Sequence, residues 1–178
     1  MKRLIASIAV LLIITTYLLS CEKDDICADG TPTTPGLVVD FYKFGVTDTK
    51  YPVANFKYWV PEIEGDTLPT DTISKVDRII LPLPTNKDEV TWALQYNYTD
   101  PLGVKTTNTD LFTIKYTRKD TYVSRACGYK TTFVLNPATI ENPNPSLTDA
   151  DEKLFIRDIV VVTPNIETEN EAHVKIYF

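Results

Sequence analysis

A chain of 178 residues with 18 basic and 24 acidic side chains carries a formal charge of −6. It is long enough for one compact domain and too short for two of ordinary size. The acidic balance, without a basic stripe, excludes a nucleic-acid binder, so no nucleic-acid partner is expected.

Lys2 and Arg3 precede a run from Leu4 to Ser20 that contains no charge. A basic start, an apolar stretch and a small residue before the break predict a helical secretory signal over residues 1–20. A retained membrane-spanning helix is the alternative, and this run is close to the roughly 20 residues a span needs. Leu18-Leu19-Ser20-Cys21 decides between them, because it resembles the bacterial lipobox. A diacylglycerol is attached to the thiol, and the peptidase then has to fit the bond between a small residue and the modified cysteine. Cys21 is thus the expected lipidation site and membrane lipid the expected partner. Burial of acyl chain contributes about 0.8 kcal/mol per CH₂, and the two or three chains of such lipoproteins make a stable anchor. Loss of Lys2 and Arg3 leaves 16 basic and 24 acidic residues, a charge of −8.

Residues 21–36 read as a lipidated tether and linker. Glu22-Lys23-Asp24-Asp25 is either a solvated spacer or an export signal. In the second reading Lys23, Asp24 and Asp25 resemble the short acidic signal that sends Bacteroidota lipoproteins to the outer face of the outer membrane. Cys27 and Cys127 remain. An exported compartment permits a disulfide between them, and two separately buried thiols are the alternative. Thr31 to Pro35, with two prolines, is a stiff connector.

Period-two alternation then predicts a single β-domain over residues 37–178. Strands are expected in Leu37–Phe44, in Asn55–Val60 before Pro61, and in Lys75–Leu81 before Pro82 and Pro84. Glu89–Tyr98 is the clearest, with Val90, Trp92, Leu94, Tyr96 and Tyr98 on one face. Thr99–Gly103 has turn composition. Asp110–Lys119 and Thr121–Leu135 supply two more strands. Asn136–Glu152, with three prolines, predicts a long loop with one helical turn near Leu147, capped by Ser146 or Thr148. Leu154–Thr163 and Ala172–Phe178 form a terminal hairpin connected through Pro164 and Asn165. About seven to eight short strands without an amphipathic helix predict an all-β antiparallel sandwich. A transmembrane barrel is the rival, since Phe178 ends an alternating strand, but twelve prolines and six glycines weigh against a continuous ladder.

At "SRACGYK" (Ser124–Lys130) the chain resembles an uncharacterised family of Bacteroidota lipoproteins, a domain of unknown function. "CEKDDIC", "TDTI", "ILPL" and "AHVKIYF" extend the resemblance over nearly all of the mature chain. It implies recurring second and third cysteines, in keeping with a bridge, and a small outer-membrane β-barrel protein as partner. It brings no catalytic residues.

Little else points to chemistry. His173 is the only histidine, expected at the surface or rim of the last strand, so no catalytic triad can be assembled around it. Zinc-ligand clusters are absent from the sequence. Asp149, Asp151 and Glu152 lack the ordered spacing of a calcium loop. No cofactor, metal site or enzymatic activity is expected. The aromatics are the open question. Trp59 and Tyr58 are the candidate ligand-binding pair, with Trp59 the better placed for exposure, whereas Trp92, Tyr96 and Tyr98 share a face with core residues. Arg125 is expected to pair with a carboxylate. The sequence thus predicts a lipid-anchored outer-membrane protein, exposed at the cell surface if the acidic signal acts. Its role would be a non-catalytic interaction or assembly module, with a tethered glycan- or peptide-binding protein as the alternative.

Overall fold

The computed structural model describes residues 26–31, 33–61, 73–99, 102–137 and 155–178. The chain divides into two compact units. The larger spans Thr33–Thr121 and Thr131–Phe178, and the smaller combines Met1–Pro32 with Tyr122–Lys130. Ten strands follow in order: β1 (Leu37–Tyr42), β2 (Val53–Trp59), β3 (Ile73–Val76), β4 (Arg78–Leu81), β5 (Glu89–Thr99), β6 (Lys105–Ser124), β7 (Gly128–Leu135), β8 (Asp158–Val161), β9 (Asn165–Ile166) and β10 (Val174–Tyr177). They form a four-stranded sheet, β4-β1-β10-β8, and a six-stranded sheet, β3-β2-β5-β6-β7-β9, packed as an all-β sandwich.

Alternation explains the inner faces. Val90, Trp92 and Leu94 of β5 point into the core, as do Phe112, Ile114 and Tyr116 of β6. Leu37, Val39 and Phe41 of β1 meet them from the other sheet together with Val174 and Ile176 of β10. An aromatic column joins the layers. The Phe41 ring lies 5.1 Å from Phe56 and 5.1 Å from Phe178. Phe155 stacks on Phe178 at 5.1 Å and meets Tyr96 edge-on at 6.1 Å. Such pairs add to the free energy of area burial.

The structure departs from the sequence expectation in several places. There are ten strands among the described residues, and one pair, β1 with β10, is parallel. The run from Lys75 to Leu81 is two strands that break at Asp77 and enter different sheets, β3 beside β2 and β4 beside β1. The two strands expected between Asp110 and Leu135 are redistributed. β6 is 20 residues long, absorbs the Lys119–Thr121 stretch, and turns only at Arg125–Cys127. Thr131 Oγ1 donates to Asp120 Oδ1 at 2.7 Å and Thr132 Oγ1 to the Lys119 carbonyl at 3.3 Å, so this polar stretch continues the hairpin. β8 and β10 pair antiparallel as expected, but their connection carries β9, which crosses to β7. The signal segment and the helical turn near Leu147 lie outside the described residues.

Replacing Phe41 by Ala removes the ring common to both layers and is expected to cost about 3–5 kcal/mol. The check is the urea midpoint of the variant against the parent at unchanged m-value.

Candidate functional site

The smaller unit is built around a disulfide. Sγ of Cys27 and Sγ of Cys127 are bonded, with Cα atoms 4.9 Å apart and 100 positions between them in sequence. Cys127 sits in the turn joining β6 to β7, where its N–H donates to Ser124 Oγ at 3.0 Å. Gly128 follows at φ 68°, a conformation that a residue with a Cβ adopts at a cost. On the arms of this hairpin the rings of Tyr122 and Tyr129 meet edge-on at 5.4 Å. They are 56% and 70% exposed, and Ile26 beside the bridge is 83% exposed. A shallow depression of about 550 Å³ runs between Ile26, Thr31, Tyr122 and Arg125. Cys21, Lys23, Asp24 and Asp25 lie outside the described residues.

In the larger unit, three buried polar side chains are committed to the fold. Asp40, 3% exposed, lies on the outer side of β1. Arg78 donates to its two oxygens from Nε at 2.6 Å and Nη2 at 3.0 Å, and Lys50 Nζ lies 2.7 Å from Oδ2. Burial pushes the carboxyl up, but the hydrogen bonds from Arg78 and Lys50 outweigh it and hold Asp40 below the usual carboxylate range. Asp110 Oδ2 accepts the N–H groups of Phe155 and Ile156 at 2.9 and 2.8 Å, fixing where the chain re-enters the sandwich.

His173 is a correction. It is 1% exposed and precedes β10 rather than sitting mid-strand at the surface. Its Nδ1 accepts the Val38 N–H at 2.9 Å, and its own N–H donates to the Val38 carbonyl at 2.9 Å. A backbone N–H can only donate, so Nδ1 is unprotonated and the neutral ring carries its proton on Nε2. Burial is the main cause that holds its pKa below the ordinary histidine value.

The aromatic candidates separate. Tyr58 packs against the core, edge-on to Trp92 at 5.8 Å. Trp59, expected to be exposed, is half-buried on the outer face of the six-stranded sheet, where it registers with Ala93, itself opposite Leu111. Around this row the face is a polar ladder: Thr91 with Thr113 at 2.8 Å, Gln95 with Thr109 at 3.2 Å, and Asn97 with Thr107 at 2.7 Å. Neither Tyr58 nor Trp59 lines the apolar cleft of the larger unit. That cleft, about 390 Å³, is formed by Val60, Leu83, Val90 and Trp92, with Pro82 and Pro84 on its wall and Lys87 and Glu89 at its rim. The buried Trp92 Nε1–H has no hydrogen-bond partner among the described residues. Sequence reasoning missed this cleft; the Pro82-Leu83-Pro84 run beside a core tryptophan was its only local signal. Among the described residues no three His, Cys, Asp or Glu side chains converge on a metal position. Asp149, Asp151 and Glu152 fall outside them.

Two outcomes follow from this geometry. Because folding lowers the His173 pKa, the unfolded chain binds the proton more tightly, and the contribution of neutral His173 is complete above about pH 6.5. It declines as pH falls from there toward the lowered folded value. Urea midpoints measured from pH 8 to 5 should therefore fall in the parent. They should fall less in His173→Gln, whose amide oxygen can accept the Val38 N–H without titrating. Reduction of the Cys27–Cys127 bridge opens a loop of 100 residues, for which chain entropy sets a loss of about 4.7 kcal/mol. Urea melts with and without reductant measure it, and neither thiol of the unfolded, unreduced protein should take an alkylating label.

Comparison with curated proteins and with solved structures finds no match. Comparison with family models matches residues 57–178, from within β2 to the end of the sandwich, to a family of unknown function, DUF6452. The chain belongs to that family.

Proposed function

We propose that this protein is a lipoprotein of the bacterial outer membrane, of the Bacteroidota type, anchored through acylated Cys21. It acts there as a non-catalytic interaction or assembly module. The observation that carries the reading is the disulfide. It uses two of the chain's three cysteines and leaves Cys21, the cysteine of the lipobox, as the remaining thiol. A bridge of this kind also belongs to an oxidising compartment. The commitment of His173, Asp40 and Asp110 to backbone and cation partners supports the non-catalytic part, since each is engaged in holding strands. Lys23-Asp24-Asp25 would direct the protein to the cell surface, and an outer-membrane β-barrel protein is the proposed partner.

A second reading, a tethered protein that binds a peptide or glycan, is favoured by the Trp92 cleft. Its apolar wall suits an apolar group. The aromatic platform this reading would need is not Trp59 with Tyr58, because Tyr58 faces the core.

Metabolic labelling with an alkyne fatty acid should mark the parent and leave Cys21→Ser unmarked. Equal labelling of both rejects the anchor. Surface protease should reach the parent on intact cells and lose access when Lys23, Asp24 and Asp25 are all Ala; unchanged access rejects the export signal.

A further inference from the structure

We infer that the bridged hairpin tip is a membrane-contact site: Tyr122, Tyr129 and Ile26 rest in the headgroup layer of the bilayer that holds the lipid. This rests on the proposed acylation of Cys21 and names the surface that the smaller unit meets. Three observations support it.

The first is reach. Six residue steps separate Cys21 from Cys27, and a chain spans at most about 3.3–3.6 Å per residue, or roughly 20 Å here. The bridge then sets the Cα of Cys127 only 4.9 Å from that of Cys27. The hairpin turn is therefore confined close to the acylated sulfur however the spacer is arranged. A tether this short gives a local concentration on the order of millimolar, at which contacts too weak to bind by themselves are occupied.

The second is the chemistry of what is exposed. On this one unit two tyrosine rings are 56% and 70% exposed and an isoleucine is 83% exposed. The rings contact each other edge-on at 5.4 Å and present one joint surface. Tyrosine is enriched where a bilayer passes from hydrocarbon to water, because its ring is apolar and its hydroxyl wet. Ile26, next to the bridge, adds an aliphatic contact on the same unit.

The third is rigidity. The disulfide and the Ser124 Oγ contact to the Cys127 N–H fix the turn, so contact with the headgroups costs little further ordering of the backbone.

The test uses the full-length acylated protein in vesicles of phosphatidylethanolamine and phosphatidylglycerol, with a fraction of the lipid brominated at the acyl carbons nearest the headgroup. Tyr122→Trp and Tyr129→Trp each put a reporter at the tip in place of an exposed aromatic residue. Two positions are used so that failure of one to fold leaves the other. The parent's Trp59 and Trp92 supply the baseline. The expected result is co-flotation with the vesicles and, in each variant, emission from the added tryptophan quenched by at least about twofold beyond the parent's baseline. Flotation with no added quenching overturns the membrane-contact site while leaving the anchor standing, and is the result expected if the tip faces a protein partner. Absence of flotation overturns the anchor and the contact together.

Discussion

The fold depends on one strand being buried on both sides. β1 places Leu37, Val39 and Phe41 in the core, while Val38, Asp40 and Tyr42 on its other side are also removed from solvent. An outward carboxylate in such a strand is tolerable only if its charge is matched. Arg78 on the neighbouring β4 and Lys50 after the β1 turn supply that match. Lys175 on β10 lies over the Tyr42 ring at 4.5 Å. Asp40 therefore ties its own strand to β4 and to the 43–50 turn. Because both cations keep part of their side chains in water, the cluster sets position and register more than it adds net stability. Close approach at the strand's entry has the same effect. A Cβ on Gly36 would collide with Ile80, and the Gly36 N–H donates to Glu169.

The sheet-forming segments were legible because alternation is a local property. Val90, Trp92 and Leu94 reveal the inner face of β5 without reference to any partner, and the pairing of β8 with β10 follows from two adjacent apolar runs. What was hidden was non-local. No proline or glycine marks Asp77, yet the chain leaves one sheet for the other there, since period two says which face is buried and not which sheet receives it. The polar Lys119–Thr121 stretch holds the break at Asp120 between two strands expected from the sequence. It continues as strand because it is paired across the hairpin to Thr131 and Thr132, and only Gly128 betrayed the true turn. His173 looks like a rim residue until Val38, 135 positions away, is seen to give and take its hydrogen bonds. The parallel pairing of β1 with β10 has no sequence signature at all.

The candidate sites divide in the same way. Cysteine arithmetic offered the Cys27–Cys127 bridge as one of two outcomes, and it is formed. Tyr58 and Trp59, as neighbours on one strand, face opposite sides of the sheet and so form no joint surface. The cleft beside Trp92 draws on β5, on the Pro82–Pro84 segment after β4 and on the end of β2, so no single window of sequence contains it. In the larger unit the charged and imidazole side chains that are buried hold strands together. The exposed aromatic surface of the smaller unit has no such structural employment, which is why the functional reading concentrates there.

Joining β1 to β10 has a consequence for synthesis. A ribosome adds roughly 5–20 residues per second, so the nascent β1 waits on the order of ten seconds or more for the strand that closes its parallel edge. Throughout that interval Leu37, Val38, Val39 and Phe41 present a sticky ribbon to whatever is nearby. Native structure here cannot be completed vectorially, because the parallel edge of β1 closes only with the last strand of the chain.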